Sequence, residues 1–151
     1  MAGQADVSKL ILDPTLLAEE EALDWIADHG LAGGFFAIPD YGSYLGWRLG
    51  PRAHVYVDTR GFFFAPELIE DSHYVPQMAP GWQPRLQRVL GYGTDYFLLQ
   101  TTGGRGELWR ALRPHISRPL YLDDEAVLLS REQLLRALPN IDAALQADLG
   151  R

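Results

Sequence analysis

This sequence predicts an α/β fold. In this fold, a mostly parallel sheet lies between two layers of helices and forms a three-layer sandwich. Three short, continuous apolar runs end at polar or glycine-containing turns, which indicates strands buried on both faces. Amphipathic helical stretches alternate with these runs, as is typical of parallel α/β folds. Two further apolar runs flank the acidic turn of Asp123, Asp124 and Glu125, which predicts an antiparallel hairpin at one edge of the sheet.

Each predicted element has a local reason. The first helix begins with Asp13 as its N-cap and Pro14 in its first turn, and Gly30 ends it. The predicted strands cover residues 35–38, 54–57, 96–99, 119–122 and 126–129. The other predicted helices cover residues 41–49, 66–78, 84–90, 101–113 and 131–138, with 141–149 extending or repeating the last. Elements in this order form a Rossmann-like sheet with helices on both sides.

The composition sets the class of protein. A chain of 151 residues, 47% of them apolar, predicts one domain spanning residues 1–151, with its core at about 14–138. The net charge of −7 argues against a nucleic-acid partner, which would require clustered excess base. The chain has no cysteine, which excludes thiol catalysis, thiolate metal sites and disulfides. No apolar stretch approaches the roughly 20 residues that span a bilayer, and residues 1–8 lack the basic start and the apolar run of a signal peptide. Taken alone, the composition therefore predicts a cytosolic protein.

The polar residues that follow the predicted strands form a candidate binding site. Ligands of open α/β sheets bind beyond the carboxyl ends of the strands. At that rim we expect aspartate, tyrosine and arginine side chains: Asp40, Tyr41, Tyr44, Arg48, Asp58 and Arg60. Neighbouring aspartate and arginine residues hold sugar hydroxyls or phosphates, and they equally form structural ion pairs that pin two loops together. The sequence leaves both interpretations of this rim open.

Other polar motifs predict no catalytic residue, no metal site and no cofactor. Segment 101–106 carries glycines before a helix, but it lacks the lysine and spacing of a P-loop, and a surface turn is the favoured interpretation. The acidic residues Asp123, Asp124 and Glu125 suit a divalent cation or, more simply, a hairpin turn. The four histidines lack zinc-ligand spacing, and Ser43 lacks the pattern of a nucleophile elbow.

Five motifs follow one another in a recognisable order. They occupy residues 22–26 (ALDWI), 40–48 (DYGSYLGWR), 55–61 (VYVDTRG), 91–99 (GYGTDYFLL) and 120–129 (LYLDDEAVLL). Together, over residues 16–130, they resemble the extracytoplasmic C-terminal domain of bacterial polytopic membrane glycosyltransferases that use lipid-linked sugar donors, like the dolichyl-phosphate-mannose mannosyltransferases. The chain departs from that pattern at Thr59, where glycine is frequent, and at Tyr41, where tryptophan is common.

The resemblance implies a function that composition does not. It implies that the chain is an accessory domain cut from a longer protein. The transmembrane region of that longer protein would be the partner of the domain and would place the domain on the extracytoplasmic side. It also implies that the transferase chemistry lies near the membrane helices, so that this domain is not itself catalytic. The domain would help to recognise the acceptor, a glycan or a lipid-linked sugar. Two alternatives stay open, a free-standing sugar- or nucleotide-active soluble enzyme and a purely structural interaction module.

Overall fold

A computed structural model of the protein describes residues 14–57 and 65–149, with side chains described for 21–57 and 65–141. Its helices in these ranges are α1 (Pro14–Asp28), α2 (Pro39–Leu49), α3 (Pro66–Gln77), α4 (Trp82–Gly91), α5 (Glu107–Leu112) and α6 (Arg131–Leu149). Its strands are β1 (Gly33–Phe36), β2 (Ala53–Val55), β3 (Thr94–Gln100), β4 (Tyr121–Leu122) and β5 (Ala126–Ser130). The predicted α/β class is confirmed.

The strands form one mixed sheet in the order β2-β1-β3-β5-β4. Strand β1 pairs parallel with both β2 and β3, whereas β5 pairs antiparallel with β3 and β4. The predicted parallel sheet with an antiparallel edge hairpin is therefore confirmed. The carboxyl ends of β1, β2 and β3 lie at one side, which we call the carboxyl edge. Because Gln100 pairs with Ala126, the turn between β4 and β5 lies at this edge too.

The sheet lies between two separate apolar cores. Neighbouring residues of a strand point to opposite faces. Phe35 and Leu98 pack with α1 and α2 on one face, whereas Phe36 and Phe97 pack with α3 to α6 on the other. This arrangement is the predicted three-layer sandwich, and it explains why the strands read as continuous apolar runs.

Some boundaries differ from the prediction for local reasons. Strand β1 covers residues 33–36 rather than 35–38, because it begins at a glycine pair that lies against β3. A Cβ atom on Gly34 would lie 2.8 Å from the carbonyl oxygen of Gly93, so only glycine fits this approach. Of the two options left open for residues 141–149, the structure shows the extension: they continue the helix that begins at Arg131, and α6 has Pro139 inside it. Among the helices of the described ranges, none has the length and apolar character required to cross a membrane.

Candidate functional site

Two of the predicted site residues lie at the carboxyl edge, and Asp58 and Arg60 lie outside the described residues. Asp40 is in the first turn of α2 and is exposed to solvent. Tyr41 is only 3% exposed, and its hydroxyl accepts a hydrogen bond from Nε2 of Gln100 at 3.2 Å. Since Gln100 ends β3, this contact joins the start of α2 to the neighbouring strand. Tyr41 is thus part of the framework, and Asp40 faces solvent.

The other two described site residues lie farther along α2. Arg48 is about 12 Å from Asp40 along the helix axis, at about 1.5 Å per residue. Its guanidinium forms an ion pair with Asp24 of α1, which joins the two helices of this layer. Tyr44 is half-buried and borders a shallow apolar depression of about 260 Å³ with the exposed Trp47. The structure therefore does not bring Arg48 together with Asp40.

We expect Arg48→Ala to lower the free energy of unfolding by less than about 1 kcal/mol, because solvent-exposed ion pairs contribute little. The side chains of Arg48 and Asp24 are 37% and 51% exposed. Urea denaturation of Arg48→Ala, Asp24→Ala and the double variant measures the coupling between the two charges. A loss of ligand affinity in Arg48→Ala, with its stability unchanged, would contradict the assignment of this residue to a purely structural pair.

The loop after β3 is shaped by its glycines. Gly103 has a φ of +70°, a conformation that favours glycine. Gly106 packs so tightly that a Cβ atom there would lie 2.8 Å from the carbonyl carbon of Thr101. Arg110 donates to the carbonyl oxygen of Gly103 at 2.8 Å and also pairs with Glu107. These contacts fold the loop back onto the start of α5 and give it a defined shape.

The acidic turn between β4 and β5 uses one of its carboxylates internally. Oδ1 of Asp123 accepts hydrogen bonds from the amides of Glu125 and Ala126 at 2.7 and 2.8 Å, and Oδ2 accepts one from the Tyr121 hydroxyl. Burial, followed by the hydrogen bond to Asp123, raises the pKa of the Tyr121 phenol above its ordinary value. Asp124 is exposed. Asp123 is a turn-forming residue, and the described side chains include no cluster of three or more His, Asp or Glu residues that would hold a metal ion.

A polar cleft of about 470 Å³ lies at the carboxyl edge, between the loop after β3 and the acidic turn. Its lining includes hydroxyl, guanidinium, carboxylate and apolar groups: Thr101, Thr102, Arg110, Arg113, Leu122 and Asp124. Thr101 joins the two walls, because its amide donates to the carbonyl of Glu125 and its hydroxyl donates to that of Asp124. The volume lies within the roughly 300–1,000 Å³ typical of small-molecule sites.

Neither family models, nor curated proteins, nor solved structures yield a match to this chain. The resemblance to membrane glycosyltransferase domains therefore stays a prediction from the five motifs.

The pKa of His73, on α3, is affected by two charged residues of other elements, Arg105 and Asp40. Burial lowers the pKa of His73 below its ordinary value and the charge of Arg105 lowers it further, whereas Asp40 opposes this shift. Arg105 lies in the short helical turn Gly104–Gly106 and Asp40 at the start of α2. These effects together favour the neutral imidazole over its protonated form. Sequence spacing does not reveal this convergence, because the three residues belong to separate elements.

A buried carboxylate is the main polar feature that the sequence reasoning missed. Asp71 of α3 is fully buried and accepts hydrogen bonds from the Tyr56 hydroxyl at 2.8 Å and from Arg85 at 2.9 Å. Both of its oxygens also accept from Arg88, at 2.8 and 2.9 Å. The sequence did contain one sign of this burial. Asp71 lies four residues before the buried Val75, which places both residues on the apolar face of α3. These contacts satisfy the carboxylate, which makes Asp71 a packing residue.

Proposed function

We propose that this chain is an accessory extracytoplasmic domain of a membrane glycosyltransferase, which helps to recognise the glycan acceptor or the lipid-linked sugar and is not itself catalytic. The observation that carries this proposal is the polar cleft at the carboxyl edge of the sheet. The five ordered motifs support the parent class. The cleft supports the sugar-recognising role, because open α/β sheets bind ligands at this edge.

The groups that line the cleft suit a sugar. Each sugar hydroxyl both donates and accepts hydrogen bonds, as the threonine hydroxyls do. Guanidinium groups such as that of Arg113 only donate, and carboxylates such as that of Asp124 only accept. A cleft that offers all three kinds of group can therefore satisfy several hydroxyls of one ring at once.

The same residues support recognition rather than chemistry. A general acid or base has to come within hydrogen-bonding reach of the reacting atoms. His73, whose pKa is affected by Arg105 and Asp40, does not line the cleft, and neither does any other histidine of the described residues. The Asp123 carboxylate is engaged by the amides of its own turn, and Asp71 is engaged by two arginines and a tyrosine. The cleft thus offers binding groups, and within the described part of the chain no imidazole joins the Asp124 carboxylate in its lining.

NMR titration of the whole chain tests this proposal. The probes are methyl α-D-mannopyranoside, methyl β-D-glucopyranoside and a short isoprenyl phosphate, each added separately. We expect amide shifts at residues 101–106 and 121–125 with a Kd on the order of 1 mM for at least one probe. We also expect no turnover of an isoprenyl-phosphate-linked mannose. Absence of shifts with every probe would overturn the recognition role, and turnover would favour the free-standing enzyme instead.

A further inference from the structure

We propose that the cleft binds one neutral hexopyranose ring, with Asp124 and Arg113 as its charged contacts and Thr102 as a third polar contact. This inference rests on the proposed recognition of sugars, and it adds the charge of the ligand and the residues that hold it. The argument depends on which polar groups of the cleft are already engaged, which remain available, and how the charges of its lining balance.

Several polar groups of the cleft belong to its framework. The Arg110 guanidinium donates to the carbonyl of Gly103 and pairs with Glu107. The Asp123 carboxylate accepts from two amides of its turn and from a tyrosine hydroxyl. The Thr101 hydroxyl donates to the carbonyl of Asp124 at 2.5 Å. These groups hold the two walls in place and have little capacity left for a ligand.

Three side chains remain available. The Arg113 guanidinium, the Thr102 hydroxyl and the Asp124 carboxylate are exposed, and none of them has a hydrogen bond or ion pair with another residue of the described ranges. They come from separate segments: the short helical turn after α5, the loop after β3 and the turn before β5. A ligand that touches all three has to supply acceptors to Arg113 and donors to Asp124.

The charge balance of the cleft favours a neutral ligand. Its charged lining residues are two arginines and two aspartates, Arg110, Arg113, Asp123 and Asp124, so their formal charges cancel. Glu107, which pairs with Arg110, adds a negative charge beside the cleft, and this also disfavours an anionic ligand. A phosphate or carboxylate bound at Arg113 would also meet the like charge of Asp124, which is unfavourable. A hydroxylated ring satisfies both side chains without adding charge.

The apolar part of the lining suits the carbon–hydrogen face of a pyranose. Leu122 is 47% exposed, and it offers an apolar surface next to the three polar groups. Trp109 is only 3% exposed, so its ring belongs to the core and is not a stacking platform. We therefore expect contact with one ring rather than stacking along a chain of sugars.

Matched variants test the assignment. Asp124→Asn and Arg113→Gln remove one charged contact each, and both side chains are exposed and unpaired within the described residues, so the fold should be kept. The controls are Asp28→Asn at the end of α1 and Arg136→Gln on α6, which are exposed and outside the cleft. We expect each cleft variant to weaken the Kd for the neutral methyl pyranoside about tenfold, the usual effect of losing a charge-assisted hydrogen bond. The controls should keep the affinity, and all four melting temperatures should stay close to that of the parent chain.

The outcomes separate this inference from the proposed function. Sugar-induced shifts at another surface, or equal affinity in the cleft variants and the controls, would overturn the inference while sugar recognition stands. Binding of the isoprenyl phosphate alone, weakened in Arg113→Gln and strengthened in Asp124→Asn, would show an anion site and would also overturn it. If neither the sugars nor the isoprenyl phosphate bind, the proposed function and the inference both fail.

Discussion

Asp71→Asn should lower the free energy of unfolding by about 3 kcal/mol, which is at the lower end of the usual cost of breaking a buried ion pair. The side chain of Asp71 has 0% exposure, whereas those of Arg85 and Arg88 are 21% and 39% exposed. The substitution keeps the shape of the side chain but removes the charge that faces two guanidinium groups. Partial exposure of the arginines moderates the loss of stability, because water can hydrate the guanidinium groups that no longer face a carboxylate.

The loss should depend on pH in a defined direction. Burial alone would raise the pKa of Asp71, but hydrogen bonds from Arg88, Arg85 and Tyr56 outweigh it and hold the pKa below its ordinary value. A carboxylate with a lowered pKa stabilises the fold at pH values above its unfolded pKa, and this contribution disappears as the pH falls through the folded pKa. The difference in stability between the parent chain and Asp71→Asn should therefore be full at pH 7 and should shrink below the unfolded value of 3.8.

Glu70→Gln is the matched control for this experiment. Glu70 precedes Asp71 on α3 and also pairs with Arg85, but its side chain is 48% exposed. Urea denaturation at pH 7 and pH 3 should therefore show a loss of less than about 1 kcal/mol for the control at either pH. Equal losses in the two variants, or a loss in Asp71→Asn that does not change with pH, would show that the buried ion pair does not stabilise the fold.

Phe97→Ala should cost about 4 kcal/mol, as truncation of a fully buried phenylalanine usually does. Phe97 lies on β3, which pairs with β1 on one side and β5 on the other, and its exposure is 0%. Its ring is 5.8 Å from that of Phe36, so the substitution would also remove an aromatic contact across two strands. The surrounding strands and helices are held in place by other contacts, so the cavity cannot collapse fully.

Thermal and urea unfolding of Phe97→Ala and of Leu135→Ala measure this effect. Leu135 is an apolar residue of α6 that is 43% exposed, so its truncation should change the stability by less than about 0.5 kcal/mol. A loss below about 2 kcal/mol in Phe97→Ala would indicate that the core between the sheet and α3 to α6 relaxes around the missing ring.

The pattern of apolar residues was enough to predict the layers. Residues such as Phe97 and Leu98 serve opposite cores, so a strand between two helical layers has to be apolar throughout, and such runs are visible in the sequence. The shift of β1 was not visible, because the requirement for Gly34 comes from the backbone of Gly93, in the turn that precedes β3. Local patterns identify elements but not the neighbours that set their ends.

The candidate site was predicted only in part, for the same reason. The pattern of the strands indicated their carboxyl ends, and Asp40 lies at that edge in the structure. The partner of Arg48, however, is Asp24 on α1, and the partners of Asp71 come from the residue that follows β2 and from α4. Such pairs depend on how helices pack, and spacing along one chain segment does not encode them. The cleft likewise requires two turns that are distant in sequence to meet.

The short strands at the two sides of the sheet have a consequence for how the protein behaves at high concentration. Strand β2 has 3 residues and strand β4 has 2, so each side presents few unpaired backbone groups to another molecule. Long, flat outer strands are templates for intermolecular pairing and aggregation, and short ones are a common protection against it. Because the apolar strands β1, β3 and β5 lie inside this border, the aggregation-prone segments are exposed only when the domain unfolds.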